Sequence, residues 1–378
     1  MTLFSKLFHK NYKKCNQDDF VISFLKQENE EENMVYSPLS IKYVLKMLES
    51  GANGNTKAQI ETLIKNNELV NYKNIANIFN MANGLYINNK MRDLTSQYYI
   101  NLLRKKYGAE VNFDDFSNPD NINKWIEKKT FGILKNVLSG EDINEVTSMV
   151  LINALAVNLK WKDKFDPDYT YHLPFYTETG EEITVLTMSK TSDVSRDSYY
   201  EDDDMLAVAM DLENVSDFEF VALMPQNGLH DYIKNFSLKD FEFLRKKFIS
   251  IRDNHQDVQI LIPKFSINYE LKLQDDLKNQ GMTDAFDREK ANFSRISSNY
   301  QNNYWVKKIL HKASIDVVEC GIKAASTTVV SGADGCAMPR IRERIVIKIN
   351  KPFLFFIRNK NYGEIIFTGT VYKPETRD

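Results

Sequence analysis

The segment Met149–Leu159 reads MVLINALAVNL and is apolar except at Asn153 and Asn158. Its part Met149–Val157, broken only by Asn153, suits a strand with both faces buried, which must lie inside a sheet covered on two sides. It falls well short of the ~18 consecutive apolar residues that a membrane-crossing helix needs, and it is the longest candidate in the chain. With 378 residues, 43% of them hydrophobic, there is enough material to build the covering layers. Lys and Arg number 49 against 52 Asp and Glu, so 49 − 52 gives a formal charge of −3. That balance excludes a histone-like polycation. No interleaving of basic and aromatic residues marks a nucleic-acid platform either, so no nucleic-acid partner is expected.

The first 140 residues read mainly as helices. Phe20, Ile22, Phe24 and Leu25 open one amphipathic segment, Ile41–Leu48 forms a second and Thr56–Ile64 a third, with Gly51 and Gly54 breaking the chain between the last two. In Pro119–Leu138, Ile122, Trp125, Ile126 and Ile133 recur at helical spacing and Asp120 offers a cap, which predicts a helix lying on a sheet. From Val146 the pattern turns to β, with Phe218–Leu223 a second buried strand; helical signals return at Leu229–Lys234, Lys239–Phe248 and Leu271–Lys278. The last third is strand-rich, at Val258–Ile262, Val306–Glu319, Ile345–Ile349, Phe353–Ile357 and Glu364–Val371. No linker, repeat or low-complexity block divides the chain, which predicts one α+β domain over residues 1–378.

Between Cys320 and Ile345 the periodicity stops. The stretch opens Glu319-Cys320-Gly321-Ile322-Lys323-Ala324-Ala325-Ser326-Thr327-Thr328-Val329-Val330, a glycine pivot followed by small and then β-branched residues. Long loops in compact domains are usually functional or disordered. This one has the composition of a loop able to become a strand, because small side chains fit beneath covering helices and β-branched ones favour the extended state once paired.

Templates for catalysis are missing: there is no G-x-S-x-G, H-E-x-x-H, P-loop or G-x-G-x-x-G. None of the five histidines (His9, His172, His230, His255, His311) has a partner at metal-ligand spacing, and His311, between Leu310 and Ala313, reads as a hydrogen-bonded structural residue. Cys15, Cys320 and Cys336 are odd in number and lack a C-x-x-C spacing, which excludes a disulfide framework and disfavours zinc. Cys336 reads as an incidental exposed thiol with only Arg340 near it. No enzyme, metal or cofactor is expected. The acidic run Glu201–Asp204 reads as a solvated loop. The triplets Arg104-Lys105-Lys106 and Arg245-Lys246-Lys247 read as solvated helix faces, with weak glycosaminoglycan contact as the alternative. The N-terminal MTLFSKLFHKNYKK has no apolar run of about 7 to 15 residues and no small-residue cleavage site. No cleavable signal peptide is therefore expected, which suits a cytoplasmic protein or one released by a non-classical route; three sequons, at Asn214, Asn235 and Asn292, carry little weight.

Several ordered motifs together resemble the serpin family over nearly the whole length. They are Asn33-Met34-Val35-Tyr36-Ser37-Pro38-Leu39-Ser40 with Gly51-Ala52-Asn53-Gly54-Asn55-Thr56, then Ala82-Asn83-Gly84-Leu85-Tyr86, and Leu151-Ile152-Asn153-Ala154 with Lys160-Trp161 and Phe165-Asp166-Pro167. Gly281-Met282-Thr283-Asp284-Ala285-Phe286, His311-Lys312-Ala313, and Lys351-Pro352-Phe353-Leu354-Phe355-Phe356-Ile357 with Gly369 complete the set.

The resemblance implies a serpin fold of three β-sheets and about nine helices, with an exposed reactive-centre loop over about 321–345. It implies a monomer that acts as a suicide substrate: a serine protease attacks the loop and forms a covalent acyl complex, and the freed strand inserts into the main sheet. The alternative is a non-inhibitory serpin serving as carrier, chaperone or storage protein. Residue by residue, Ser37, Ser40, Asn153 and His311 match the polar shutter where the sheet must part, and Trp161 matches the breach at the loop's entry. Glu319, Gly321, Ile322, Ala324, Ala325, Ser326 and Thr327 match the hinge. Ile322 stands where the family prefers a small residue, Lys323 replaces a frequent Glu, and bulk at Ile322 is expected to slow insertion. The expected reactive bond is Arg340–Ile341, giving a trypsin-like target. Family spacing from the hinge glycine points to the alternative Gly335–Cys336, but glycine offers a protease pocket almost nothing to bind.

Overall fold

The computed structural model describes residues 20–376 apart from 65–68, 70, 71, 73, 76, 77, 133, 214–216, 255, 272, 300–303 and 324–343. In chain order the elements begin with α1 (Phe20–Gln27), β1 (Met34–Tyr36), α2 (Pro38–Gly51), α3 (Gly54–Ile64), β2 (Phe79–Asn88), α4 (Gln97–Tyr107), β3 (Glu110–Asp114), α5 (Asp120–Lys129) and β4 (Met149–Lys160). There follow β5 (Thr170–Tyr176), β6 (Glu182–Ser192), β7 (Ser198–Glu201), β8 (Met205–Asp211), β9 (Phe218–Pro225), α6 (Leu229–Asn235), α7 (Leu238–Arg245), β10 (Ile249–Ser250), α8 (Ile251–Asn254), β11 (Val258–Pro263) and β12 (Phe265–Glu270). The chain closes with α9 (Leu273–Asn279), β13 (Val306–Leu310), β14 (Lys312–Val318), β15 (Gly321–Lys323), β16 (Ile345–Lys348), β17 (Phe353–Asn359) and β18 (Ile365–Val371).

These strands form three sheets. The main sheet runs β12-β14-β15-β4-β2-β3, with β13 also paired to β4; a second runs β1-β18-β17-β9-β8-β7-β10; the third runs β16-β11-β6-β5. β4 is buried on both faces as its sequence predicts, and the period of two sorts its side chains between two apolar clusters. Met149, Leu151, Leu155, Val157 and Leu159 join the large core that contains Leu39 and Tyr43 of α2. Val150, Ile152 and Ala154 join a smaller one with Ile122 and Ile126 of α5 and Leu310 of β13. α5 lies so close to the sheet that a Cβ on Gly84 would come within 2.8 Å of the Trp125 ring. Glycine is required there by close approach.

Several expectations change. The helix expected over Pro119–Leu138 stops at Lys129, because Phe131, Gly132 and Asn136 all take positive φ (55°, 80° and 49°). Asp120 sits in the first turn while Pro119 occupies the cap without a side-chain bond. The first 140 residues also contain β1, β2 and β3, which polar Asn80, Asn83 and Asn88 obscured in the case of β2. The expected strand Val306–Glu319 is two strands broken at His311.

Candidate functional site: the seam of the main sheet

The main sheet contains a fork. β13 pairs with β4 in parallel as far as Leu310↔Ile152. Beyond that point β15 stands between the two sides, antiparallel to β14 from Val318↔Gly321 to Asp316↔Lys323 and antiparallel to β4 from Lys160↔Gly321 to Asn158↔Lys323. Among the described residues no strand pairs with the intervening stretch, 311–315 on one side and 153–157 on the other, along the edges that face each other. The expectation of a wholly exposed loop from Gly321 is therefore corrected: its first three residues are already a strand of the sheet, with Gly321 and Ile322 buried. Gly321 has φ +151°, and a Cβ there would lie 2.0 Å from the Leu159 carbonyl oxygen. Ile322 lies between Val317 and Leu159, so its bulk enters an apolar row.

At the crotch of the fork, two separate hydrogen-bond chains face the seam. The His311 Nε2 accepts from the Ser37 amide at 2.9 Å, and Ser37 Oγ, the cap of α2, accepts from the Ser40 amide at 3.2 Å. Burial pushes the His311 pKa down to about 4, so the ring is neutral at pH 7 with Nε2 as acceptor. Across the seam, Asn153 Nδ2 donates to Asn83 Oδ1 at 2.5 Å, and Asn83 Nδ2 donates to the Tyr107 carbonyl at the end of α4 at 2.8 Å. Sequence reading groups Ser37, Ser40, Asn153 and His311; it misses Asn83, although the residue lies inside one of the motifs. Among the described residues, Ser40 Oγ and Asn153 Oδ1 are buried without a hydrogen-bond partner.

At the open end, Trp161 is fully buried against Phe165 and Phe220. Its Nε1 donates to the Val318 carbonyl at 2.8 Å and its amide to the Cys320 carbonyl at 3.3 Å, so it holds both sides of the turn between β14 and β15. Glu319 Oε1 accepts from Lys264 Nζ and Thr170 Oγ1, each at 2.9 Å. Burial alone would raise this carboxyl, but the Lys264 ammonium and the other donors hold it below the ordinary range. Lys264 and Thr170 are not singled out by the sequence, since nothing local marks them.

Ala324, Ala325, Ser326, Thr327, Gly335, Cys336, Arg340 and Ile341 lie outside the described residues. Arg104, Lys105 and Lys106 are exposed on the last turn of α4. Arg245 is not a free cation, because its guanidinium donates twice to buried Glu219, at 3.1 and 2.6 Å; Lys246 and Lys247 are exposed. Among the described residues no group of three His, Cys, Asp or Glu could hold a metal ion, and no helix is long and apolar enough to cross a membrane.

The three sheets and their helices make an α+β molecule whose main sheet holds the three-residue strand β15 between β14 and β4. The chain belongs to the serpin family: the family model described as "Serpin (serine protease inhibitor)" matches residues 16–374. It is similar to mouse (Mus musculus) neuroserpin, 29% identical over 93% of this chain and 88% of the relative. Among solved structures it is similar to the thermophilic serpin tengpin in its native state, with a TM-score of 0.80, 25% identity and 99% of each chain covered. A further match is native protease nexin-1 with heparin, with a TM-score of 0.74, 25% identity and 94% and 97% of the two chains covered.

Proposed function

We propose that the protein is an inhibitor of trypsin-like serine proteases that works by loop insertion. The observation that carries this reading is β15 standing between β14 and β4, with its C-terminal end directed toward the stretch of the fork that lies between His311 and Asn153. Continuing its register (321 + 160 = 481, so partners sum to 481 on β4) would set Ala324 opposite Val157, and the next three positions would bring Thr327 opposite Ala154. At ~3.3 Å per residue, 15 to 18 inserted residues would carry an acylated protease roughly 50 to 60 Å. Loop insertion of this kind is the serpins' own established form of strand addition and strain release, and the step assigned to this chain is that one rather than a new mechanism. The protease's serine attacks the Arg340 carbonyl and expels the Ile341 amine, and insertion outruns hydrolysis of the resulting ester.

Small residues at Ala324 to Thr327 favour this reading over a carrier or storage role, because they offer nothing that obstructs closure of the sheet around the entering strand. A weak polyanion contact at Arg104, Lys105 and Lys106 accompanies it, supported by their place on the last turn of α4 and by the heparin in the nexin-1 structure. The test is incubation with trypsin. An SDS-resistant complex that releases a fragment beginning at Ile341 supports the proposal. A fragment beginning at Cys336 moves the bond to the alternative position, and cleavage without a complex supports the carrier reading.

A further inference from the structure

The segment that leaves β4, Trp161–Phe165, cradles the turn between β14 and β15. Three consecutive carbonyls of that turn accept hydrogen bonds from it: Val318 from Trp161 Nε1 at 2.8 Å, Glu319 from the Phe165 amide at 3.1 Å and Cys320 from the Trp161 amide at 3.3 Å. Among the described residues, strand pairing of the segment is limited to the isolated bridge Trp161↔Leu212. Side chains from outside must therefore fix where it lies.

Those supports meet in one carboxylate. Asp197, between β6 and β7, accepts at Oδ2 from Lys190 Nζ of β6 at 2.5 Å and at Oδ1 from the Asp211 amide at the end of β8 at 3.0 Å. Both lines reach the cradle. Lys190 Nζ also donates to the Asp163 carbonyl at 2.8 Å and stands 4.8 Å from the centroid of the Phe165 ring. The Asp211 carbonyl accepts from the Lys162 amide at 2.9 Å. Ser195 Oγ adds a third tie, donating to the Asp163 carboxylate at 2.6 Å and accepting from the Asp197 amide at 3.1 Å. The side chains of Lys190 and Asp197 are 9% and 0% exposed, so loss of either partner would strand a buried charge.

We propose that Lys190 and Asp197 position the turn from which the loop departs, acting through the Trp161–Phe165 segment, and so hold β15 in the sheet of the resting molecule. The pair lies in the connections of the second and third sheets, yet the element it sets belongs to the main sheet. It is a positioning role. Only its consequence for inhibition rests on the function proposed above, since the pair itself belongs to the uncleaved molecule.

The test is hydrogen exchange of the Cys320–Ile322 amides in the full-length protein without protease, so a failure to trap trypsin leaves it unaffected. Lys190→Met should speed exchange there by at least about fivefold. Asp197→Asn, which keeps an acceptor for the Asp211 amide and so spares the fold, should speed it by at least about threefold. It should add less than about twofold in the Lys190→Met background, because the interaction it removes is already gone. Exchange in β2 and β17 should stay at the wild-type rate, which separates local release from general unfolding. With Trp125 and Trp305 replaced by Phe, the emission of Trp161 should shift to the red in both variants. Wild-type exchange and emission in Lys190→Met and Asp197→Asn would overturn the proposal. So would equal acceleration in β2 and β17, or an undiminished effect of Asp197→Asn in the Lys190→Met background.

Discussion

The imidazole of His311 accepts the Ser37 amide hydrogen at 2.9 Å at the one residue that separates β13 from β14. Below it the two halves of the main sheet are paired directly, and above it they have parted. The bond ties the crotch of the fork to the start of α2 from one side only, since Asn153 on the opposite side is held by Asn83. If the sheet opened further, it would separate two polar groups that each keep their own partner.

His311 should make stability fall in acid. Its ring is neutral in the folded state down to about pH 4, whereas in the unfolded chain it takes up a proton near pH 6.5. Between those values the unfolded state binds more protons, so stability falls as pH drops from about 6.5 to about 4, by up to about 3 kcal/mol. His311→Gln, which keeps an acceptor for Ser37, should flatten this part of the profile. His311→Ala should flatten it too and should also cost about 1–3 kcal/mol at pH 7, because the buried Ser37 amide is left unpaired. Denaturant unfolding across that pH range reads both; an unchanged acid slope in the two variants would count against the assignment.

Gly321→Ala should expel β15 from the sheet, because the new Cβ would lie 2.0 Å from the Leu159 carbonyl oxygen and 2.7 Å from Lys160 Cα. Those are backbone atoms, which cannot turn aside. With Trp125 and Trp305 replaced by Phe, Trp161 reports on the turn it binds, and its emission should shift to the red. An unshifted spectrum would mean that the strand tolerates the methyl group.

Asp142 and Lys308 form an ion pair from the connection preceding β4 to β13, and Glu270 flanks it within 4.0 Å of the lysine. Both partners are partly exposed, so the pair is worth about 0.5–1 kcal/mol and weakens in salt. Because it crosses the line along which β13 would leave β4, Asp142→Asn and Lys308→Gln should each hasten heat-induced polymers about two- to fivefold at low salt. At high salt the wild type should approach both variants. Native gels after timed heating give the rates, and equal rates at low salt would show that the pair does not restrain the seam.

Ala324→Arg should turn an inhibitor into a substrate. In the continued register this position would fall in the row of Ile315 and Val157, both buried in the large core, where an unpaired guanidinium is strongly disfavoured. The number of inhibitor molecules consumed per trypsin trapped should rise at least tenfold while the loop is still cleaved. A ratio unchanged from wild type would remove insertion from the mechanism.

Arg340→Ala should abolish the trypsin complex while leaving the thermal unfolding midpoint unchanged, since the substitution removes only the cation that a trypsin-like pocket recognises. Trapping at the original rate would move the reactive bond elsewhere in the loop.

Much of this molecule is legible along the chain. The apolar run of β4 announces a strand covered on both faces, and the two apolar clusters bear that out. The motifs around Ser37, Asn153 and His311 carry the family resemblance, and His311 and Asn153 stand on the two sides of the fork. Those signals are local, carried by periodicity and by short words of sequence. What tertiary structure alone decided is long-range pairing. Asn83 meets Asn153 across 70 positions, and Lys264 meets Glu319 across 55. The three residues at Gly321–Lys323 read as the start of a loop because strand character there depends on neighbours supplied by β4 and β14. Val317 and Leu159 make a place for Ile322, and Asp316 stands opposite Lys323 in the register. A three-residue segment has no periodicity of its own to declare, so its burial follows from the partners that folding brings to either side.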